Sequence, residues 1–191
     1  MRSIIFALGL AAANAVHLNL EPEAAAPLPD HLAKLRGHTG NQRYKMDYKR
    51  DGLIVRWEVD EFVWEIREGY RGTGADAAPA NLFVDIIQPT VHKKGYVGQR
   101  EAGDLVTKYF DDCWRLAGSM IDESSFTDDG RLNTLDLRLI ADKALDHNVA
   151  KEAFLRITNA MSESEQDSLD RDALASALLG VGWQGLENLD F

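Results

Sequence analysis

Apolar positions cluster unevenly along this chain. A run from Ile4 to Leu10 follows Arg2 and precedes Ala13-Asn14-Ala15. A basic start, a short apolar stretch and a small-residue site are the build of a secretory signal peptide over residues 1–15, cut after Ala15. The run is far shorter than the roughly 20 residues a bilayer span needs, and no other segment comes close, so no membrane span is expected. Residues 16–43 are rich in Ala and Pro and offer one short helical candidate, Asp30 to Arg36, which reads as an extended N-terminal arm. From Tyr44 onward apolar periodicity is dense, broken by the Gly/Ala/Pro stretch Gly72 to Ala80.

Two periods compete just after the arm. As a helix, Val55, Val59, Phe62, Val63, Ile66 and Tyr70 share one stripe, with Arg56, Glu58, Glu61, Glu65 and Glu68 largely off it. As strands, Tyr44, Met46 and Tyr48 alternate before an Asp51-Gly52 turn and Leu53, Val55, Trp57 and Val59 alternate after it. Local pattern leaves both readings open.

A repeat bears on the choice. "DYKRDGLIVRWE" (Asp47–Glu58), "TVHKKGYVGQRE" (Thr90–Glu101) and "SFTDDGRLNTLD" (Ser125–Asp136) each carry Gly at position 6, an aliphatic at 8 and an acid at 12. A fourth, "SESEQDSLDRDA" (Ser162–Ala173), keeps Leu169 at 8 but has Asp167 at 6 and Ala173 at 12. The position-8 residues, Ile54, Val97, Leu132 and Leu169, are spaced 43, 35 and 37 apart. Helical patterns flank the last three frames, over Asn81–Gln88, Leu105–Ile121, Leu135–Leu145, Val149–Met161 and Ala173–Leu179. The repeat therefore tips the segment after Asp51 towards helix.

These frames resemble the EF-hand superfamily: four calmodulin-like helix-loop-helix units, partly degenerate, over roughly Tyr44 to Gly182. The resemblance implies an all-α fold of paired EF-hands in two lobes, residues 44–104 and 105–182, with short β-bridges where position-8 residues meet, and a C-terminal tail over 183–191. It also implies calcium ligands at positions 1, 3, 5, 7 (a backbone carbonyl), 9 and 12. The first loop offers Asp47, Asp51, the Leu53 carbonyl and Glu58, but Lys49 stands at position 3, where its ammonium is expected to point into a ligand's place. In the second, His92 and Lys94 replace ligands, leaving Glu101 as the sole anion and Lys94 as its built-in counter-charge; no calcium is expected. The third has Ser125, Thr127, Asp129, the Arg131 carbonyl, Asn133 and Asp136, the best surviving set, placed at the weak end of the range near about 10⁻⁴ to 10⁻³ M, or not binding at all. The fourth reads as a structural turn.

Composition narrows the partners. Forty-five per cent of residues are apolar, enough for a core, and 31 acidic residues against 21 basic ones disfavour nucleic acid. Removing the leader, with its single Arg2, takes the net charge from −10 to −11. Cys113 alone cannot form an internal disulfide, and helical spacing puts it on an apolar face with Val106, Phe110, Trp114 and Ala117. There is no nucleophile elbow, P-loop, dinucleotide fingerprint or zinc-spaced Cys/His set, and His17, His31, His38, His92 and His147 are scattered. An enzyme is not expected. The sequence supports a non-catalytic structural or scaffolding subunit of a secretory or endomembrane-derived assembly, with calcium binding mostly lost. Its partner would be a protein, such as an amphipathic helix held between EF-hand helices, and Trp57, Trp64, Trp114, Phe62, Phe83 and Phe110 read mainly as core. A low-affinity calcium buffer or sensor in the secretory pathway, extracellular space or an organelle lumen is the alternative. The leader is compatible with the first part of a bipartite targeting signal.

Overall fold

The computed structural model describes residues 27–69, 77–124, 129–136, 157–162 and 168–180. The fold is mostly helical, with two small antiparallel two-stranded sheets among the described residues. The expected signal peptide, residues 16–26 of the expected arm and the expected tail lie outside them. Residues 30–110 make one compact unit and the described residues from 111 onward make another.

The first unit opens with α1, Asp30–Met46. This corrects the extended arm: its residues 30–43 are helical. Leu32, Leu35, Thr39, Gln42 and Met46 are buried, a three-four-three-four spacing that is one face of a helix. Two of those five are polar, which hid the stripe from a hydrophobic reading.

After α1 come β1 (Leu53–Val55), α2 (Arg56–Arg67), α3 (Ala77–Lys94), β2 (Tyr96–Gly98) and α4 (Gln99–Ser124). Strand β1 pairs antiparallel with β2, setting Ile54 opposite Val97, both fully buried. The hairpin of residues 44–48 with 53–59 does not form: Tyr44 to Met46 end α1, and Arg56 to Val59 open α2. Helix α2, which buries Val59 and Phe62, packs on α3, whose Phe83, Ile87 and Val91 are also buried. The segment expected as a loop through Ala80 is helical from Ala77.

Helix α4 carries one continuous buried stripe. Ala102, Val106 and Phe110 serve the first unit, and Cys113, Trp114, Ala117 and Ile121 the second. Cys113, on the apolar face as its spacing predicts, is 4% exposed. In the second unit β3 (Leu132–Asn133) pairs antiparallel with β4 (Ser168–Leu169), Leu132 opposite Leu169. Residues 134–136 and 157–162 are helical. Helix α5 (Arg171–Leu179) starts where the Asp170 carboxylate accepts the Ala173 N–H at 2.9 Å and stops at Gly180, with φ 77°.

Arg171 fastens α5 to α4. Its guanidinium stacks 4.0 Å over the Trp114 ring and donates to the Trp114 carbonyl through Nε (3.3 Å) and Nη2 (3.2 Å). A Cβ on Gly118 would come within 2.8 Å of the guanidinium carbon. Gly118→Ala is therefore expected to destabilise by about 1–2 kcal/mol in urea unfolding: the roughly 1 kcal/mol gained in helix propensity is outweighed by displacing a charged, stacked donor. Gly37→Ala, at an exposed position of α1 where nothing lies within 4 Å of the new methyl group, is the contrast and should stabilise by about 0.5–1 kcal/mol.

Candidate functional site

The first loop begins where α1 ends, and one carboxylate turns the chain. Asp47 is 3% exposed; its Oδ1 accepts the Asp51 N–H (3.2 Å) and its Oδ2 the Gly52 N–H (2.9 Å). Gathering two consecutive amides onto one side chain requires a sharp bend, and Arg50 and Gly52 supply it in the left-handed region, at φ 56° and 82°. Glycine bears this freely, whereas Arg50 carries a cost on the order of 1 kcal/mol that the surrounding bonds must cover. Asp51 Oδ1 then accepts the Leu53 N–H at 2.9 Å and starts β1.

Glu58, placed off the apolar stripe by sequence periodicity, is fully buried. Its Oε2 accepts the Val55 N–H (3.0 Å), which satisfies an orphan donor at the start of α2, and its Oε1 accepts the Lys49 N–H (3.1 Å). The Lys49 side chain departs from expectation. Its ammonium lies 5.4 Å over the Trp57 ring, outside the turn, and the backbone amide of Lys49 points in.

A residue from the other loop completes the arrangement. Gln99 Nε2 donates to Asp47 Oδ2 at 2.7 Å, and the Gln99 backbone N–H donates to the Gly52 carbonyl at 2.9 Å. Sequence reasoning missed Gln99. It lies 52 residues from Asp47, at a frame position that holds no ligand, so nothing local marks it.

The second loop is built differently. Helix α3 runs on through Lys94, so Thr90, His92 and Lys94 sit in helix and form no cage. The helix ends just before Gly95, φ 87°. Lys94 Nζ pairs with Glu101 Oε1 as its expected counter-charge. The hydrogen bond and negative charge of Glu101 hold the lysine above its ordinary value of 10.5.

The third loop repeats local features of the first. Gly130 has φ 70°, Asp129 Oδ1 accepts the Arg131 N–H (2.9 Å), and buried Asp136 accepts the Asn133 N–H through Oδ2 (3.0 Å). Asn133 Oδ1 accepts the N–H groups of Leu135 (2.8 Å) and Asp136 (3.1 Å). The Arg131 guanidinium reaches β4, donating to Ser168 Oγ (2.8 Å) and lying 3.7 Å from Asp170. Ser125 and Thr127 lie outside the described residues. Within the fourth frame, Ser168 and Leu169 form β4 and Asp170 caps α5.

A hard dication asks for six or seven oxygens. In the first loop all four oxygens of Asp47 and Glu58 already accept N–H groups, so protein donors satisfy both carboxylates in this structure. Among the described residues, no three His, Cys, Asp or Glu side chains converge on a point where they could hold a metal. Comparison with protein-family models, curated proteins and solved structures finds no match.

Two outcomes are expected. Glu58→Gln turns one acceptor into a donor facing a backbone N–H and should cost about 1–3 kcal/mol in urea unfolding; Gln99→Ala removes one bond to a buried carboxylate and should cost about 1–2 kcal/mol. Lys94 titrates separately. A raised folded pKa adds stability that is present below the unfolded value and lost as pH rises through the folded one. Lys94→Gln should therefore melt slightly below the parent chain near neutral pH and match it once the pH has passed the folded value.

Proposed function

We propose that this chain is a non-catalytic structural or scaffolding subunit built on an EF-hand-like frame whose calcium chemistry has been replaced by protein donors. The observation that carries the reading is the closed first loop. Asp47 and Glu58, at the first and last ligand positions, accept five N–H donors, one of them from Gln99 across the loop pair. The frame itself is supported by the pairing of position-8 residues, Ile54 with Val97 and Leu132 with Leu169, and by left-handed glycines at position 6 in three loops.

The leader pattern of residues 1–15 supports a secretory or endomembrane-derived compartment. A protein partner, rather than nucleic acid, accords with a net charge of −10. No described helix is long and apolar enough to cross a membrane.

One observation favours the calcium buffer or sensor as a second reading. Asp129 is exposed and Asp136 buried beside Asn133, two carboxylates at ligand positions of the third loop. The readings separate in one titration. After chelator treatment, the folded chain is expected to show neither heat nor a tryptophan fluorescence change up to millimolar calcium. Saturable binding with a fluorescence change, abolished by Asp129→Ala, would replace the scaffold with the buffer or sensor.

A further inference from the structure

Helix α2 buries the side expected of it, through Val59 and Phe62, yet its outward side is not merely charged. Trp57 is 46% and Trp64 50% exposed, although both read as core in the sequence. Seven residues are two turns, so the rings stand on one line about 10 Å apart along the axis. Glu61 falls between them and Glu68 follows, both exposed. The outward line thus alternates ring and carboxylate at steps of four, three and four, with exposed Asp60 beside it.

The Trp57 ring is also held in place. Tyr48 packs 6.0 Å away at a 31° tilt, and its hydroxyl donates to Glu65 Oε2 at 2.7 Å. The Lys49 ammonium lies over the same ring, so this face already accepts a cation on an indole from within the chain. A ring fixed before binding loses little freedom when a partner arrives.

We propose that this face of α2 is a docking surface for a cationic amphipathic helix. Lysine and arginine stems cover indole faces while their charged heads reach the interleaved carboxylates of Glu61 and Glu68, and the alternation matches the three- and four-residue spacing of a helix. Arg56 and Arg67 lie on one flank, leaving the ring line and its Glu61 side as the acceptors. An anionic membrane is a poorer occupant, because its headgroups would meet the carboxylates between the rings. A second copy would set the same glutamates against each other. The proposal names the partner class for the scaffold reading, but the surface needs neither an ion nor the EF-hand frame.

The test uses the full chain in chelator, so its outcome is separate from the calcium titration. The probe is a synthetic Leu/Lys amphipathic helical peptide of about five turns, and the control is its Leu/Glu counterpart. Calorimetry should give saturable binding of the Lys peptide only, weakening with salt. Trp57→Ala with Trp64→Ala should lower affinity at least about tenfold at an unchanged melting temperature. Glu61→Lys with Glu68→Lys should do likewise while keeping both rings, and it carries the test if the double tryptophan variant loses its fold. The proposal is overturned by equal binding of the Leu/Glu peptide, by unchanged affinity in the variants, or by no saturable binding. It is also overturned if the tryptophans matter only for binding phosphatidylserine vesicles, or only for self-association in sedimentation.

Discussion

The first unit depends on carrying two carboxylates into its interior and satisfying them there. An ionised carboxylate moved from water to a protein interior costs several kcal/mol unless it is paired or hydrogen-bonded. Asp47 and Glu58 meet that cost with N–H donors: the amides of Asp51, Gly52, Lys49 and Val55, and the Gln99 carboxamide. Bonds to charged acceptors contribute about 1.5–3 kcal/mol each, so the set is of the right size to offset the burial. Much of the local fold follows. The bend at Asp51 and Gly52 and the start of α2 at Val55 are positions where one of these two side chains holds a backbone amide.

The same construction recurs in the second unit, which argues for an internal repeat independently of residue spacing. A carboxylate at position 5 accepts the amide two residues on, from Leu53 in one case and Arg131 in the other, each at 2.9 Å. A carboxylate at position 12 accepts the amide three residues back, from Val55 or Asn133, each at 3.0 Å. The second loop lacks a carboxylate at its first position, and there the helix runs on to Lys94.

This explains what could be read from the sequence. The strand partners were legible because an aliphatic flanked by a turn glycine and a later acid is a local pattern that Ile54, Val97 and Leu132 repeat, and Leu169 follows at the same period. Lys94 and Glu101 were legible as a pair because both stand in one frame. Helix α1 was legible only as its first part, Asp30 to Arg36; beyond that Thr39, Gly40 and Gln42 occupy the buried face and only packing reveals that the face is inward. Gln99 was invisible for a related reason: its role comes from a contact across 52 residues. The tryptophans misled in the opposite direction, because a large apolar ring is usually buried, and Trp57 and Trp64 lie opposite the stripe that Val59 and Phe62 define.

A switch needs two states and a ligand that binds one of them better. In an ion-gated loop, the empty state leaves acceptors unsatisfied or repelling one another, and the ion relieves them. The first loop has no such deficit: each of the four carboxylate oxygens of Asp47 and Glu58 has an N–H partner without an ion. The second loop has no deficit either, because Lys94 moves with the chain and is present at every calcium concentration. On the scaffold reading this constancy is useful, since it keeps the outward face of α2 in one geometry whatever the ionic conditions. On that reading the fold would be a fixed bracket, with specificity carried by the surface residues it holds out.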